Sequence, residues 1–217
     1  MTSVAAVVLA AGRSSRFRAA GGAEETKLVA KIDGKPIIVR VVEAALASRA
    51  RPVIVVVGHA SGAMEAALAG SPAMIAFNPD FESGIASSLR LGLALAPVES
   101  DGVVVLLGDM PNVAASLIDD LIAALEARPE VCAVAPTRGG RRGNPVLIAR
   151  PLFGQAMLLE GDEGARRLLD SLPLGEIVEI GCASDVFFDV DTPDDLGSAR
   201  PEIEAGREAL RFRRPTS

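Results

Sequence analysis

Short runs of aliphatic and β-branched residues alternate along the chain with longer segments in which apolar residues recur at helical spacing. Side chains alternate between the two faces of a strand and repeat about every 3.6 residues in a helix, so the runs predict strands and the longer segments predict helices. The predicted strands cover residues 4–9, 53–57, 73–77, 103–107, 131–135, 146–148, 177–180 and 186–188. The predicted helices cover residues 36–48, 61–69, 84–95, 113–128, 151–159 and 163–171.

Several of the predicted strands are apolar throughout, as residues 53–57 illustrate. Such strands suit a parallel sheet that helices cover on both faces. The alternation therefore predicts an α/β fold with a doubly wound, mostly parallel sheet. An arginine- and glycine-rich stretch interrupts this rhythm from about residue 136. We expect one domain over residues 1–200, with residues 136–185 as an excursion, and a helical tail over 201–217 whose end is frayed.

Composition and charge then exclude several classes of protein. The chain has 217 residues, 49% of them hydrophobic, with seven Phe and neither Trp nor Tyr, so we expect a sizeable aliphatic core. A net charge of −6 argues against general binding to nucleic acid. No apolar run approaches the roughly 18 residues of a membrane span, and the amino-terminal run lacks the basic region of a signal peptide. We therefore expect a cytoplasmic protein with no nucleic-acid or membrane partner.

The two cysteines, Cys132 and Cys182, lie far apart in the sequence and match no metal-binding spacing. Free, buried thiols in a reducing compartment are the expectation for such a pair.

The first predicted strand ends in a small, cationic loop, within the stretch VVLAAGRSSRF. Gly12 allows a ligand to approach the backbone closely, and Arg13 and Arg16 supply fork-shaped donors for an anion. Lys27 follows at the end of a polar, glycine-rich stretch. The loop is neither a Walker P-loop nor a GxGxxG turn, and a solvated surface loop would have a similar composition. The loop alone therefore leaves the choice between anion site and solvated surface open.

Carboxylates follow two other predicted strands. Asp109 ends a buried strand in LLGDMP, and Asp189 and Asp191 alternate in DVDTPDDL, so at most one of that pair reaches a common ion. Ligands of open parallel sheets bind where the carboxyl ends of the strands meet, which places Asp109 in the same crevice as the cationic loop. Oxygen ligands of this kind suit Mg²⁺, which usually takes one or two carboxylates together with substrate phosphates.

Seven segments occur in an order that is typical of one enzyme family: LAAGRSSRF, KLVAKIDGKPII, NPDFESGIASSLRLGL, LLGDMP, GNPVLI, GDEGARRLL and DVDTPDDL. Together they resemble the MobA-like nucleotidyltransferases that mature the molybdenum cofactor, and most of all the molybdenum cofactor cytidylyltransferases, over residues 4–199. The resemblance implies a Rossmann-like, three-layer nucleotidyltransferase fold with a mostly parallel sheet and helices on both faces. It also implies Mg²⁺-dependent transfer of CMP from CTP to the terminal phosphate of a molybdopterin-type cofactor, with release of pyrophosphate.

The resemblance also implies roles for individual residues. Lys27, Arg16 and Asp109 would be catalytic, and Asp109 and Asp191 would hold Mg²⁺. The residues expected to bind the nucleotide are Leu9, Ala10, Ala11, Gly12, Arg13, Arg16, Lys27, Gly58, Ser83, Gly84, Ser87 and Asp109. The residues expected to bind the acceptor are Asn78, Asn144 and Arg142, the last two in the excursion that would line the acceptor site.

Two features depart from the family pattern. The stretch between Arg16 and Lys27 is longer than the compact loop of the family, which puts the position of Lys27 in doubt. Asn144 stands where the family often has His, which puts the choice of acceptor in doubt. The arginines at 138, 141 and 142 suit either an anionic acceptor or a solvated loop, and the sequence leaves both open.

A phosphate acceptor would explain how the chemistry proceeds in a chain with one histidine, His59. A hydroxyl nucleophile needs a positioned base, whereas a phosphate with a second pKa of about 6 is already mostly dianionic at neutral pH. Guanylyl transfer to the same cofactor and nucleotidyl transfer to a sugar or polyol phosphate remain alternatives. A further alternative is a non-catalytic carrier or insertion chaperone that delivers the cofactor to a recipient molybdoenzyme.

Overall fold

A computed structural model describes residues 2–173, 175–182 and 184–198, and it shows the predicted α/β fold. The strands in this part of the chain are β1 (Val4–Ala10), β2 (Lys31–Ile32), β3 (Lys35–Pro36), β4 (Val53–Val57), β5 (Met74–Phe77), β6 (Gly102–Leu107), β7 (Ala133–Arg138), β8 (Arg141–Arg142), β9 (Val146–Ala149) and β10 (Ile177–Gly181). The α-helices are α1 (Ser15–Ala19), α2 (Ile37–Ala47), α3 (Ser61–Ala67), α4 (Ile85–Leu95), α5 (Ala115–Ala127), α6 (Phe153–Ala156) and α7 (Ala165–Asp170). The predicted tail, 201–217, lies outside the described residues.

The central sheet has the strand order β10-β7-β9-β6-β1-β4-β5, with β8 paired to β7 at one end. β1 pairs in parallel with both β4 and β6, while β9 runs antiparallel to β6 and β7. The chain passes from β1 to β4 and β5 on one side, and then returns to β6 on the other side of β1. This reversal opens a crevice at the carboxyl ends of β1 and β6, where doubly wound sheets bind their ligands.

Helices cover both faces of the sheet because the strands are apolar on both faces. All seven residues of β1 are buried, and they divide between two clusters of side chains. Helices α2 and α5 pack on one face, and α4, α6 and α7 pack on the other. Gly92 lets α4 approach β1 closely, since a Cβ there would lie 2.3 Å from Val7 Cγ1. The predicted aliphatic core and three-layer arrangement are confirmed.

A third and smaller apolar cluster lies beneath the cationic loop. Phe17 of α1 is buried with Ala30, Ile32 and Ile37, and Val190 joins them from the far end of the chain. The apolar pattern did not predict α1 or the β2–β3 hairpin, because each is too short to show a period. This cluster brings the segment around residue 190 next to α1.

The prediction of a strand over residues 186–188 is wrong, because Ser184–Phe187 forms a 3₁₀ turn. The ring of Phe187 packs against Gly143, where it occupies the space that a Cβ would need. The apolar residues 186–188 therefore contribute to packing and do not pair with the described strands of the sheet. The predicted helices over 151–159 and 163–171 are also shorter than expected, at Phe153–Ala156 and Ala165–Asp170.

None of the helices in the described part of the chain is both long and apolar enough to cross a membrane.

Candidate active site

A cleft of about 510 Å³ opens at the carboxyl ends of β1 and β6. One wall consists of the loop after β1 together with α1, and the opposite wall consists of residues around the start of α4. The lining residues are Leu9, Ala11, Gly12, Arg13, Ser14, Ser15, Arg16, Phe17, Lys27, Leu28, Phe81, Glu82, Gly84, Ile85, Ser88, Leu107, Asp109, Asp162 and Asp191. The cleft is large enough for a small-molecule substrate.

Four charged side chains converge at one end of the cleft. Lys27 Nζ lies 2.7 Å from Asp109 Oδ2 and 3.0 Å from Asp191 Oδ1. Arg16 Nη1 lies 2.8 Å from Asp191 Oδ2. The Lys27 side chain is 13% exposed, so it is enclosed, whereas that of Arg16 is 80% exposed and reaches in from solvent. Two cations and two carboxylates therefore balance one another at this point.

The electrostatic environment favours the charged forms of this cluster. Burial lowers the pKa of Lys27, but the charges and hydrogen bonds of Asp109 and Asp191 outweigh it and raise that pKa above the usual 10.5. The hydrogen bond from Lys27, together with the charges of Lys27 and Arg16, holds the pKa of Asp191 below its usual 3.8. Desolvation, followed by the charges of Asp109 and Asp191, raises the pKa of the neighbouring Asp189.

Backbone contacts explain how residues so distant in the sequence meet. Val190 N–H donates to the carbonyl oxygen of Asp109 at 3.1 Å, which fastens the 189–191 segment to the end of β6. The Asp195 carboxylate then accepts hydrogen bonds from Asp191 N–H and Thr192 N–H, as part of a capping box at the turn Pro193–Gly197. Asp195 thus has a structural role at the start of this turn, and Asp191 is left free to face Lys27.

The loop after β1 presents its backbone to the cleft. A Cβ at Gly12 would meet nothing within 4 Å, so the backbone there borders open space. Gly58 supports the loop from behind, because a Cβ at that position would lie 2.9 Å from Ala11 Cβ and 2.5 Å from Phe81 Cβ. Arg13 reaches across the cleft and forms an ion pair with Glu82. Gly58 thus supports the site without lining the cleft.

The polar residues around the start of α4 mostly hold the local backbone in place. Asn78 is buried, and its amide donates to the hydroxyls of Ser87 at 2.8 Å and Ser88 at 2.9 Å. The Ser83 and Ser87 hydroxyls donate to the carbonyl oxygen of Asp80. Of the predicted residues in this region, only Gly84 lines the cleft. Asn78, Ser83 and Ser87 therefore shape the wall, and Gly84 faces the ligand space.

The other two residues expected at the acceptor lie outside the cleft lining. The Arg142 guanidinium is 2.7 Å from Glu179 Oε1, which ties β8 to β10. Asn144 precedes Pro145 in the connection between β8 and β9. His59 also lies outside the lining, with its ring 6.4 Å from that of Phe81. The structure thus brings Arg16, Lys27, Asp109 and Asp191 together and leaves Asn144 and Arg142 apart from them.

For several residues that line the cleft, nothing in the sequence indicates that they belong to the site. Glu82 and Asp162 lie in recognisable segments, NPDFESG and GDEG, but nothing in those segments indicates that these carboxylates face the same cleft. Ser14 and Ser88 are small polar residues of a kind common in loops and at helix starts. Folding places the segment around Asp162 here, because Gly161 packs against Gly84 and its carbonyl oxygen accepts from Ala86 N–H.

Asp109 and Asp191 offer oxygen donors that suit a divalent cation. Asp109 Oδ1 is buried and has no hydrogen-bond partner among the described residues. Asp109 Oδ2 and Asp191 Oδ1 both lie within 3.0 Å of Lys27 Nζ, so the space between the carboxylates already accommodates a cation. Mg²⁺ commonly takes one or two carboxylates, with substrate phosphates and water as the remaining ligands. The residues present therefore fit such an ion.

Comparisons with known proteins identify relatives of this chain. Over 204 residues the chain is 32% identical to purine catabolism protein PucB of Bacillus subtilis, covering 89% of this chain and 94% of that protein. It is 29% identical to the bifunctional protein GlmU of Syntrophotalea carbinolica over 160 residues, which is 74% of this chain and 32% of GlmU.

Solved structures show the same fold. The crystal structure of Rv0371c from Mycobacterium tuberculosis superposes with a TM-score of 0.77 at 29% identity, covering 91% of this chain and 97% of that one. A structure of Rv0371c in complex with manganese has a TM-score of 0.75 at 27% identity, covering 91% and 98% of the two chains. The model of the MobA-like NTP transferase domain matches residues 6–177. On this evidence, the chain belongs to the MobA-like NTP transferase domain family.

Proposed function

We propose that this protein transfers CMP from CTP to the terminal phosphate of a molybdopterin-type cofactor, with release of pyrophosphate. The observation that carries the proposal is the convergence of Lys27, Arg16, Asp109 and Asp191 at one end of the cleft. A triphosphate with its divalent cation needs this combination of positive side chains and carboxylates. The family supports nucleotidyl transfer, and the ordered motifs support the choice of CTP and of the cofactor.

In the proposed complex, the triphosphate lies along the loop that follows β1. The backbone at Gly12 borders open space, so phosphate oxygens can approach the N–H groups of the loop there. Arg16 binds the phosphates from the exposed side. Lys27 exchanges its contacts with Asp109 and Asp191 for contacts with phosphate oxygens. That exchange keeps the ammonium group paired with an anion throughout.

Asp109 and Asp191 would hold Mg²⁺ once Lys27 has turned to the phosphates. When bound, the ion supplies positive charge that offsets repulsion between the two anionic substrates and the charge that builds on the departing pyrophosphate. The manganese complex of the Mycobacterium tuberculosis relative supports a divalent ion in this family.

The reaction itself requires positioning more than proton transfer. An oxygen of the acceptor phosphate attacks the α-phosphorus of CTP, and the bond from that phosphorus to the β-phosphate oxygen breaks. The electron pair leaves with pyrophosphate, and no proton has to be removed, because the attacking phosphate is mostly dianionic at neutral pH. Arg16 and Lys27 stabilise the charge on the leaving group. No histidine lines the described cleft, which is compatible with a reaction that needs no general base.

Mass analysis of the products tests this proposal. Purified protein is incubated with Mg²⁺, with each of the four ribonucleoside triphosphates in turn, and with either the cofactor or a sugar phosphate as the acceptor. We expect a cofactor–CMP adduct and pyrophosphate with CTP, and we expect Asp109→Asn to suppress both. A GMP adduct with GTP, or a product only with a sugar phosphate, would overturn the choice of substrates. Tight cofactor binding without turnover of any triphosphate would favour the carrier alternative.

A further inference from the structure

The hydroxyl groups of Ser14 and Thr26 link the loop after β1 to the segment that carries Lys27. Ser14 Oγ lies 2.9 Å from Thr26 Oγ1 and accepts a hydrogen bond from the Lys27 backbone N–H at 3.1 Å. Thr26 is 1% exposed, and its hydroxyl also accepts from Leu28 N–H at 3.4 Å. The two side chains therefore fix the backbone on both sides of the Lys27 side chain.

The contact between Ser14 and Thr26 anchors the end of an exposed stretch of chain that by itself would not hold the Lys27 side chain in a defined position. After α1 the chain runs through residues 20–25, which are mostly exposed and include Gly21 at a φ of 90°. A mostly exposed segment with few buried contacts has low local stability, so its end needs an anchor. The anchor falls at Thr26, where the chain becomes buried again.

Ser14 is held in an unusual backbone conformation at the other end of the link. Its φ of 51° lies in the left-handed region, which is unfavourable for residues other than glycine. Strain of this kind persists where surrounding interactions require it, often at functional sites. Glycine would satisfy the backbone at this position but could not supply the hydroxyl that Thr26 and Lys27 contact.

We propose that Ser14 and Thr26 are positioning residues that hold Lys27 at the Asp109–Asp191 pair and so preorganise the cationic end of the cleft. They act through the Lys27 backbone, and of these three residues only Lys27 contacts the phosphates, through its ammonium group. Displacing a binding group by 1 Å can cost about 10²-fold in rate, so anchoring the Lys27 backbone has a large effect on turnover. The kinetic consequence of this inference rests on the proposed function, whereas the position of Lys27 does not.

Lysine labelling tests the position of Lys27 without any assay of activity. The chain has three lysines, and the exposed Lys31 and Lys35 serve as internal references for the enclosed Lys27. With a small amine-reactive reagent and mass spectrometry, we expect Thr26→Val to label Lys27 roughly 3- to 10-fold faster relative to Lys31, the factor given by one lost hydrogen bond. Thr26→Ser keeps the hydroxyl and should label like the wild type. Ser14→Gly relieves the backbone strain yet should also accelerate labelling, which provides a second test should Thr26→Val fail to fold.

Equal labelling of Lys27 in the wild type and in the folded hydroxyl-free variants would overturn the inference. The kinetic arm is a double-mutant cycle with Lys27→Ala. Thr26→Val should lower kcat/KM about 10- to 100-fold in the wild-type background and add nothing when Lys27 is already absent. An equal loss in both backgrounds would show that Thr26 acts by another route. Should the wild type turn over no triphosphate, the proposed function fails, and the labelling result still decides the role of Thr26.

Discussion

Replacing Lys27 with methionine should reveal the electrostatic cost of placing Asp109 and Asp191 side by side. Methionine retains an apolar stem but removes the ammonium group that lies 2.7 Å and 3.0 Å from the two carboxylates. An exposed ion pair contributes about 0–1 kcal/mol, whereas breaking a buried pair costs about 3–5 kcal/mol. The Lys27, Asp109 and Asp191 side chains are 13%, 21% and 38% exposed. The two ion pairs of Lys27 therefore lie between the exposed and the buried case. We expect the free energy of unfolding to fall by about 2 kcal/mol at pH 7.

The loss should depend on pH in a defined direction. Lys27 lowers the pKa of Asp191 in the folded protein, so this stabilisation is present above the usual value of 3.8 and disappears as the pH falls through the lower folded value. The difference between the wild type and Lys27→Met should therefore shrink on acidification below pH 3.8. Urea unfolding at pH 7 and at about pH 3 measures both values.

A divalent ion should restore much of the lost stability, because it can replace the missing ammonium group. At a free concentration 100-fold above its Kd, an ion that binds only the folded state stabilises it by about 2.7 kcal/mol. The gain should be larger in Lys27→Met than in the wild type, where the ion must displace the ammonium. Lys35→Met, which breaks an exposed ion pair with Glu43, is the matched control and should cost at most about 1 kcal/mol. A Lys27→Met variant with wild-type stability and no larger response to Mg²⁺ or Mn²⁺ would refute this reasoning.

Three further substitutions separate chemistry from stability. Asp109→Asn should lower kcat/KM for CMP transfer about 10²- to 10³-fold, and steady-state kinetics with near-normal turnover would remove the metal assignment. Arg16→Ala should raise KM for CTP about tenfold through the lost phosphate contact. It should change the unfolding free energy by less than about 1 kcal/mol, because its contact with Asp191 is largely exposed. Gly84→Ala should destabilise the protein by about 2–4 kcal/mol, since the backbone φ is 105° and a Cβ would lie 2.2 Å from Gly161 C. An unchanged thermal midpoint for Gly84→Ala would contradict that packing.

The sequence was sufficient for the fold and for the location of the cleft because both follow from strand order and apolar pattern. β1 and β6 are continuous apolar runs, and Asp109 follows β6 after a single residue, Gly108. The position of Asp109 at the cleft could be anticipated from the rule that ligands bind at the carboxyl ends of parallel strands, whereas only the family resemblance implied that Asp191 joins it, because the strand predicted before Asp191 did not form. The contact of both carboxylates with the Lys27 ammonium group could not be anticipated from the sequence. That contact depends on the Val190 hydrogen bond and on the cluster around Phe17.

Polar residues in the predicted site show why the remaining contacts do not follow from the sequence. Asn78 and Ser87 have side chains that could bind a ligand equally well, yet they satisfy each other and the backbone before α4. Arg142 contacts Glu179 on β10, outside the residues that line the cleft, so its expected contact with an anionic acceptor stays a prediction. Residue type specifies which hydrogen bonds a side chain can form, and only the packed structure determines which partner it finds.

Anomalous scattering from crystals grown with Mn²⁺ and a non-hydrolysable CTP analogue would locate the divalent ion. We expect a single strong peak between the carboxylates of Asp109 and Asp191, with Lys27 turned from them to the triphosphate and the phosphates lying along residues 10–12. A peak elsewhere in the cleft, or a triphosphate bound while Lys27 still bridges both carboxylates, would contradict the proposed site.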